Sequence, residues 1–464
     1  MKSEKSPSGS HKRYTRRIPF DREASFFVVC LRNSNLYTSD GFRLSDLLIR
    51  DGVVAAIAPA DGAEGDVASG LTPDLTLDMK GAAVIPGLWD LHVHFREPGY
   101  SYKETIRGGV EAAVAGGFTG VCTMPNLNPV PDSREHLEAQ LDLIRKADPL
   151  LKVLPYGSIT CKRMGEKLTD FAALRDDVAG FSDDGTGVQD EETMRAAMKQ
   201  AKSTDSLIAA HCEVDSLLRG GYIHDGEYAR EHGHRGICSE SEWREIERDI
   251  KLAEEESARL HICHVSTKEG VALVREAKRR GVKVTAETGP HYLWYCDEDL
   301  REEGRYKMNP PLRSRRDMEA LREGVACGAV DVIATDHAPH SAEEKSRGLE
   351  KSAMGVVGLE TSFGAVYTKM CRELGMPFGR LVDAMAVRPR RILGLKGFES
   401  GGVAEGDPAE LTIVNLEEQY RVDPSKFAGS GRATPFEGER LTGAVVGIIT
   451  PRGISLREDM TIKE

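Results

Sequence analysis

Apolar runs alternate with amphipathic segments through the middle of this chain. The segments between the runs have the apolar period of helices, and the clearest are residues 103–115, 191–201, 240–258 and 269–280. The runs have the length and apolar character of buried parallel strands, and there are eight: 82–94, 118–124, 153–159, 178–182, 207–211, 260–265, 282–288 and 330–335. Eight β/α units in order predict an α/β fold, a (β/α)8 TIM barrel, although a doubly wound open sheet is the competing architecture.

Strand-like patterns occur at both ends of the chain as well. Short apolar runs broken by turns fill residues 26–82. Within them Asp51-Gly52 separates two apolar runs and predicts a β-hairpin, because both residue types tolerate positive φ. Further strand patterns lie at 409–414 and 444–450.

These terminal patterns predict a second domain. The amino-terminal unit is too small to bury its own core, so we predict a small composite β-sandwich of residues 24–83 and 395–464, beside a barrel of residues 84–394. Residues 1–23 are predicted to be a flexible extension, with a targeting or partner-binding role left open, since they lack the apolar core of a signal peptide.

Three local patterns make narrower predictions. Ser239, followed three residues later by Glu242, predicts a capping box at a helix start. Residues 341–352 are charged and lack an apolar period, so they predict either a closing lid or an ordinary solvated loop. Arg313, Arg315 and Arg316 form a basic cluster, which we predict to be a solvated helix start in preference to a site that attracts anions.

Composition and charge exclude several classes of protein. The formal net charge of −12 and pI near 5.7 argue against a nucleic-acid surface. No uninterrupted apolar run approaches the roughly 18 residues that span a bilayer. The nine cysteines are odd in number and include no Cys-x-x-Cys pair, which indicates a reducing cytoplasm.

Candidate metal ligands lie at the carboxyl end of the first predicted strand. The period of two places His92 and His94 on the same face, so their imidazoles can converge on one metal ion. Arg96 follows in the same parity. A guanidinium beside two neutral ligands predicts an anion site next to a metal site.

The other predicted strand ends carry more groups of the same kind. They supply Asp183 and Asp184, His211, His264 and Asp336. Four histidines and two aspartates are too many for one tetrahedral zinc ion, whereas two ions sharing a carboxylate satisfy the count. Such a centre holds a hydroxide that can attack an amide carbonyl, and Asp336 is placed to carry the proton to the leaving nitrogen.

Several motifs resemble the amidohydrolase superfamily and, within it, the dihydroorotases of bacterial type (class I). The resemblance extends from about Phe27 to the carboxyl terminus. Its specific marks include His94-Phe95-Arg96-Glu97-Pro98-Gly99, Met124-Pro125-Asn126, Phe181-Ser182-Asp183-Asp184-Gly185, Ala210-His211-Cys212-Glu213, His264-Val265-Ser266-Thr267-Lys268, Lys307-Met308-Asn309-Pro310-Pro311-Leu312-Arg313, Ala334-Thr335-Asp336-His337-Ala338-Pro339-His340 and Gly355-Val356-Val357-Gly358-Leu359-Glu360.

The resemblance implies two zinc ions per subunit. It implies His92, His94 and Asp336 as ligands of the more buried ion, and His211 and His264 as ligands of the second.

The bridging ligand is also carried over from the family. Related hydrolases of cyclic amides often bridge with a carbamylated lysine, but this chain has no lysine between Lys167 and Lys199. Strand parity leaves Asp183 and Asp184 open. The family pattern implies Asp184 as the bridge and Asp183 as a loop-capping acid.

The implied activity is zinc-dependent, reversible closure of N-carbamoyl-L-aspartate to L-dihydroorotate in pyrimidine synthesis. Arg96 suits a substrate carboxylate, and the resemblance adds further substrate contacts: Asn126, Asn309, His340 and the backbone at Met354 and Gly355. The implied partner is a small molecule, with a homodimer and an association with aspartate transcarbamoylase as further options. The alternatives are a hydantoinase or allantoinase-like cyclic amidase and a non-catalytic scaffold subunit.

Three further histidines and one glutamate are assigned supporting roles. We predict a packing or ligand-supporting position for His291, because the ligand count is already filled, and for His261 and His337, because strand parity turns them to the other side. Glu213 is predicted to orient a neighbouring ligand histidine.

Overall fold

The computed structural model describes residues 14–19, 27–60, 72–458 and 462–463. Its strands are β1 (Tyr14–Pro19), β2 (Val28–Thr38), β3 (Gly41–Arg50), β4 (Val53–Pro59), β5 (Leu75–Asp78), β6 (Ala83–Pro86), β7 (Leu88–Val93), β8 (Phe118–Thr123), β9 (Lys152–Pro155), β10 (Leu207–Ala210), β11 (Ile223–His224), β12 (Gly236–Ile237), β13 (Arg259–Ile262), β14 (Val284–Thr288), β15 (Val332–Ile333), β16 (Leu411–Arg421), β17 (Arg440–Thr450), β18 (Gly453–Arg457) and β19 (Ile462–Lys463).

The helices lie mainly between the central strands. They are α1 (Ile106–Ala115), α2 (Arg134–Ala147), α3 (Phe171–Leu174), α4 (Glu191–Thr204), α5 (Glu227–His232), α6 (Glu240–Glu256), α7 (Lys268–Arg279), α8 (Pro290–Trp294), α9 (Arg315–Cys327), α10 (Ala342–Lys345), α11 (Gly348–Lys351), α12 (Ser362–Val366), α13 (Phe378–Val382) and α14 (Arg388–Ile392). Each of the four predicted helices is present, and both ends of each lie within three residues of the prediction.

The two terminal segments share one hydrogen-bonded sheet. In the described part of the chain it has ten strands, with a main path β1-β18-β17-β16-β6-β2-β3-β4. The segments meet where β16 pairs antiparallel with β6, from Leu411 opposite Pro86 to Val414 opposite Ala83. Because β6 belongs to this sheet and β7 is the first of the central strands, the chain passes from the terminal sheet to the central strands at Gly87. The two-layer sandwich stays a prediction.

The predicted hairpin is present between β3 and β4. Asp51 and Gly52 both have positive φ, 52° and 73°, as a tight two-residue hairpin turn requires. The two strands pair antiparallel directly from this turn, with Arg50 opposite Val53 and Ile49 opposite Val54, so the local pattern was sufficient to predict this element.

The prediction of a flexible extension is corrected at residues 14–19. These residues form β1, which pairs antiparallel with β18. The physical reason is that β18 would otherwise end the sheet with unpaired backbone groups, and an added strand satisfies them. The rest of the predicted extension, residues 1–13 and 20–23, lies outside the described residues.

The central strands pair in parallel and in chain order. One sheet runs β7-β8-β9 and another β10-β13-β14-β15. Phe181 forms parallel bridges to Gly157 and Ile208, which join the two sheets. A parallel bridge between Val93 and His337 brings the last strand segment back to β7. The fourth predicted strand, 178–182, is therefore reduced to a bridge, and the eight segments follow one another around a closed path.

The predicted capping box at Ser239 is wrong. Ser239 has helical backbone angles and its side chain makes no capping hydrogen bond. The carboxylate of Glu242 instead accepts hydrogen bonds from the backbone N–H groups of Ser266 and Thr267, at 3.0 and 2.9 Å. Several donors after β13 converge on this buried carboxylate, and these hydrogen bonds are more favourable than a single capping hydrogen bond to Ser239.

Arg313 is also placed differently from the prediction. Its side chain is buried and donates to Ser266 Oγ (3.1 Å) and to the carbonyl oxygen of Ile237 (2.9 Å). Only Arg315 and Arg316 of the basic cluster are exposed at the start of α9, as expected of a solvated helix start.

We expect Glu242→Ala to lower the free energy of unfolding by about 3 kcal/mol, because buried donors would lose their acceptor. Denaturant unfolding measures this loss. Glu247→Ala removes an exposed glutamate from the same helix and is the matched control, with an expected effect within about 0.5 kcal/mol. Equal losses in the two variants would show that the contacts of Glu242 contribute little.

Residues 341–352 are ordered by a buried lysine. They contain the short helices α10 and α11. Lys345 Nζ donates to the carbonyl oxygens of Lys307, Ala353 and Gly355, at 3.0, 2.8 and 2.7 Å. Closure over the site stays a prediction.

Two further findings concern the environment of the chain. Within the described ranges, no helix is both long and apolar enough to cross a membrane. All nine cysteines are free.

Candidate metal centre and active site

The strand ends bring six candidate ligands together. β7 supplies His92 and His94 at its carboxyl end, and the segments after the bridge at Phe181, β10, β13 and β15 supply the others: Asp184, His211, His264 and Asp336. All six side chains are nearly or fully buried.

Asp184 lies at the centre of this group. Its Oδ1 is 3.3 Å from His92 Nε2, 3.3 Å from His211 Nδ1 and 3.4 Å from His264 Nε2. Its Oδ2 is 3.6 Å from His94 Nε2. Burial disfavours the charge, yet the surrounding histidines hold the pKa of Asp184 well below its ordinary value. One carboxylate thus faces four imidazoles, which is the arrangement that a shared ligand requires.

Asp336 lies on the side of the two β7 histidines. Its Oδ1 is 3.0 Å from His94 Nε2 and 3.5 Å from His92 Nε2. Its backbone has a φ of 46°, in the left-handed region that non-glycine residues seldom adopt. That conformation turns the side chain inward at the end of the strand segment.

Asp183 points away from the centre. Its Oδ1 accepts hydrogen bonds from the backbone N–H groups of Ile159 and Thr160, at 2.8 and 3.1 Å, and its Oδ2 accepts from Thr160 Oγ1. Burial raises the pKa of Asp183 to about 6. The structure therefore places Asp183 as an acceptor for the loop after β9 and Asp184 among the histidines.

The residues present fit a metal centre. Among the described residues there are three groups in which every potential ligand atom lies within 4.8 Å of the others. Two of these groups are His92 with Asp184 and His264, and His92 with His94 and Asp336. His92 Nε2 is buried and receives no well-aligned hydrogen bond from any residue the structure describes. An unpartnered imidazole nitrogen facing carboxylates is what a bound divalent cation would satisfy.

Glu287, on β14, supports the centre and was missed from the sequence. Its Oε1 lies 2.7 Å from His92 Nδ1, and its Oε2 lies 3.1 Å from His261 Nε2. A carboxylate on the far nitrogen of a ligand histidine fixes the ring orientation and raises its basicity. The available signal was an acidic residue inside an apolar strand.

Asp90 is a second missed residue. It is fully buried on β7, and its Oδ1 accepts from the backbone N–H groups of His92 (3.0 Å) and Thr335 (3.1 Å). Burial raises the pKa of Asp90 to about 7. The contact fixes the end of β7 against the segment that carries Asp336.

The predicted substrate contacts lie around the same centre. Arg96 is buried and donates from Nε to the carbonyl oxygen of Pro339 (3.2 Å), and burial lowers the pKa of Arg96 to about 10. Asn126 Oδ1 lies 2.8 Å from His94 Nδ1. Asn309 donates from Nδ2 to Glu213 Oε2 (3.0 Å).

The remaining predicted contacts form a second edge of the site. His340 Nε2 lies 2.7 Å from the carbonyl oxygen of Met354. The backbone N–H of Gly355 donates to the carbonyl oxygen of Lys307 at 3.0 Å. Gly355 has a φ of 129°, and a side chain there would collide with Ala338, so this close approach requires glycine.

The structure places three of the residues with predicted supporting roles near the candidate ligands. His337 Nδ1 accepts from the backbone N–H of Gly358 (3.3 Å), and His291 is buried against Tyr292. Glu213 Oε2 lies 3.5 Å from His211 Nε2. None of these three was predicted as a metal ligand.

Comparisons with known proteins show what this chain is similar to. A family model described as "Dihydro-orotase-like" matches residues 81–270. The dihydroorotase of Geobacillus kaustophilus is 47% identical over 416 residues, covering 88% of this chain and 94% of that protein. The dihydroorotase of Bacillus caldolyticus is 46% identical over 413 residues, with coverages of 88% and 94%.

Solved structures also match over most of the chain. The L-hydantoinase (dihydropyrimidinase) of Arthrobacter aurescens has a TM-score of 0.80 at 26% identity, covering 94% of this chain and 98% of that one. A dihydropyrimidinase of Brevibacillus agri, at 19% identity and a TM-score of 0.78, shares the fold. Because proteins named dihydroorotase match this chain at 43–49% identity over most of its length and of their own, the chain belongs to the dihydroorotase family.

Proposed function

We propose that the chain closes N-carbamoyl-L-aspartate to L-dihydroorotate reversibly, in pyrimidine synthesis, with two zinc ions at the centre around Asp184. The observation that carries this proposal is one carboxylate within 3.3 to 3.6 Å of four histidine nitrogens. Arg96 leaves the same strand end and adds a buried cation beside them. A metal site next to an anion site suits a cyclic amide that carries a carboxylate.

Within this proposal the ligands divide into two sets. His92, His94 and Asp336 would hold one ion, His211 and His264 would hold the other, and Asp184 lies where it could serve both. Bound metal supplies Lewis-acid activation of water and of the amide carbonyl.

The protein's own side chains bind and orient the substrate. Arg96 is the permanent charge that pairs with the carboxylate, and Asn126, Asn309 and His340 are contacts of the carboxylate or of the ring amide. Backbone groups at Met354 and Gly355 complete this edge. Because Arg96 is buried, its charge is little screened by water and acts strongly on an anion.

Asp336 is the proposed proton carrier. In hydrolysis its carboxylate accepts a proton from the attacking water and returns it to the leaving ring nitrogen. Ring closure uses the same group in the opposite direction. The nearby His94 Nε2, at 3.0 Å, holds the carboxylate in place.

The finer predictions about architecture and setting remain part of this proposal. The closed path of parallel pairings supports a (β/α)8 barrel, and the shared terminal sheet supports a composite β domain. Nine free cysteines support a reducing cytoplasm. A homodimer and an association with aspartate transcarbamoylase stay predictions from the resemblance.

We expect purified protein to hydrolyse L-dihydroorotate, and a chelator to abolish the activity until Zn²⁺ is added back. Ultraviolet absorbance follows ring opening, and metal analysis of the purified chain is expected to give about two ions per subunit. No turnover of dihydroorotate by metal-replete protein would contradict the proposal, and absence of metal would favour the scaffold alternative.

A hydantoinase-like activity is the alternative that the solved structures raise. The same assay with hydantoin and allantoin separates the two. We expect dihydroorotate to be preferred by at least about 100-fold in kcat/KM, since a buried Arg96 left without an anionic partner costs binding energy.

A further inference from the structure

A lysine without a role in the proposed mechanism contacts His340. Lys103 Nζ lies 3.1 Å from His340 Nδ1 and 2.9 Å from Glu344 Oε1. On the other side of the ring, His340 Nε2 lies 2.7 Å from the carbonyl oxygen of Met354. Both nitrogens of this proposed substrate contact are therefore engaged by the protein.

These partners determine the protonation of the ring. An ammonium group has three hydrogens and no acceptor, whereas a carbonyl oxygen can only accept. Nδ1 of His340 must therefore accept a hydrogen bond from Lys103, and the Nε2–H must donate to Met354. The imidazole is neutral, with its hydrogen on Nε2.

The charges around His340 favour the same state. Arg96 and Lys103 face it from the loop after β7, and Lys345 faces it from α10. The acid on this side is Glu344, whose Oε2 lies 3.6 Å from Nδ1. Burial, followed by the charges of Arg96 and Lys103, lowers the pKa of His340 to about 3.

Lys103 is itself held in place. Its side chain is only 16% exposed, and it forms an ion pair with Glu344. Glu344 is fixed at the start of α10, where its Oε2 accepts from the backbone N–H of Ser341 at 3.0 Å. The ammonium group is therefore a fixed charge at the edge of the site and not a freely moving chain end.

We propose that Lys103 is a positioning residue for substrate binding, which holds His340 neutral with its hydrogen on Nε2 and places a positive charge beside it. The inference rests on the proposed function and deepens it, because it names a residue that prepares the edge of the site for the substrate carboxylate. Together Arg96 and Lys103 present two cations to an anionic substrate.

We expect Lys103→Met to raise KM for dihydroorotate at least about 10-fold at about pH 8.5, with kcat changed less than about threefold. On acidification to about pH 6 the ratio of the variant KM to the wild-type KM is expected to fall toward one. Removing Lys103 takes away one of the charges that lower the pKa of His340 and leaves Glu344, 3.6 Å from Nδ1, without its lysine partner. We therefore expect the pKa of His340 to rise toward its ordinary value of about 6.5, so that the ring supplies positive charge at low pH.

Control variants separate this role from a structural one. Lys103→Arg keeps a cation and is expected to show no such acid recovery. Lys152→Met makes the same change at an exposed lysine at the amino end of β9 and is expected to leave KM unchanged. If Lys103→Met does not fold, Lys103→Gln is measured in the same way.

The proposal is wrong if the KM ratio of Lys103→Met does not change with pH, or if Lys103→Arg shows the same recovery. Wild-type turnover of dihydroorotate in the same series keeps the two proposals apart. Its absence contradicts the proposed function, whereas wild-type turnover with a constant ratio contradicts only the role of Lys103.

Discussion

Asp336→Asn is expected to lower kcat for dihydroorotate hydrolysis by about 10³-fold or more. Asparagine keeps the size of the side chain and an oxygen that can face His94 Nε2, now at 3.0 Å, but it cannot accept and return a proton. Binding of dihydroorotate is therefore expected to persist. Steady-state kinetics measures the loss of kcat. Isothermal titration with dihydroorotate and metal analysis, on the same preparation, measure whether substrate and metal still bind.

Asp331→Asn is the matched control for this variant. Asp331 lies just before β15 and accepts from the backbone N–H of Ala286 (2.9 Å), outside the site. We expect it to change stability but not kcat. Near-normal turnover by Asp336→Asn would rule out the proposed proton transfer, and loss of both metal and substrate binding would assign the lost turnover to metal ligation and not to proton transfer.

Asp184→Asn is expected to weaken metal binding at least about 100-fold and to abolish activity at ordinary metal concentrations. The charged carboxylate of Asp184 lies close to four histidine nitrogens, and the neutral amide oxygen of asparagine is a much poorer metal ligand. Metal content after dialysis against a weak chelator measures the loss. Partial recovery of activity in excess Zn²⁺ is expected as well.

The neighbouring Asp183→Asn provides an unusually close control. It makes the same chemical change one residue earlier, on a side chain that bonds Ile159 and Thr160 and does not face the histidines. We expect it to retain metal and to lower the free energy of unfolding by about 1 to 3 kcal/mol. Equal metal loss in the two variants would contradict the assignment of Asp184 as the shared ligand.

Part of this site could be predicted because it is local. The period of two along a strand is a property of the backbone, so His92 and His94 share a face wherever the strand lies. The Asp51-Gly52 hairpin follows from the same kind of rule, since both positions need positive φ and both residues tolerate it.

Other features depended on contacts that are distant in sequence. Glu287 supports His92 from 195 residues away, and Lys103 reaches His340 across 237 residues. Neither pair has a local pattern that could have identified it. The wrong prediction of a capping box at Ser239 shows that a local pattern can also mislead. Glu242 has the spacing of a capping residue, but its carboxylate accepts hydrogen bonds from backbone N–H groups after β13.

By itself the sequence determined the order of strands and helices, the hairpin, and which chemical groups stand at the strand ends, because these follow from periodicity and residue type. Strand parity left Asp183 and Asp184 open, the family pattern implied Asp184, and the tertiary structure shows that Asp184 faces the histidines. Only the tertiary structure decided that residues 14–19 join the terminal sheet. Side-chain parity does not extend through an irregular turn such as the one at Gly185, where φ is 79°. The sequence could name the candidate ligands, but which of them face one another depends on how the strand ends meet in the fold.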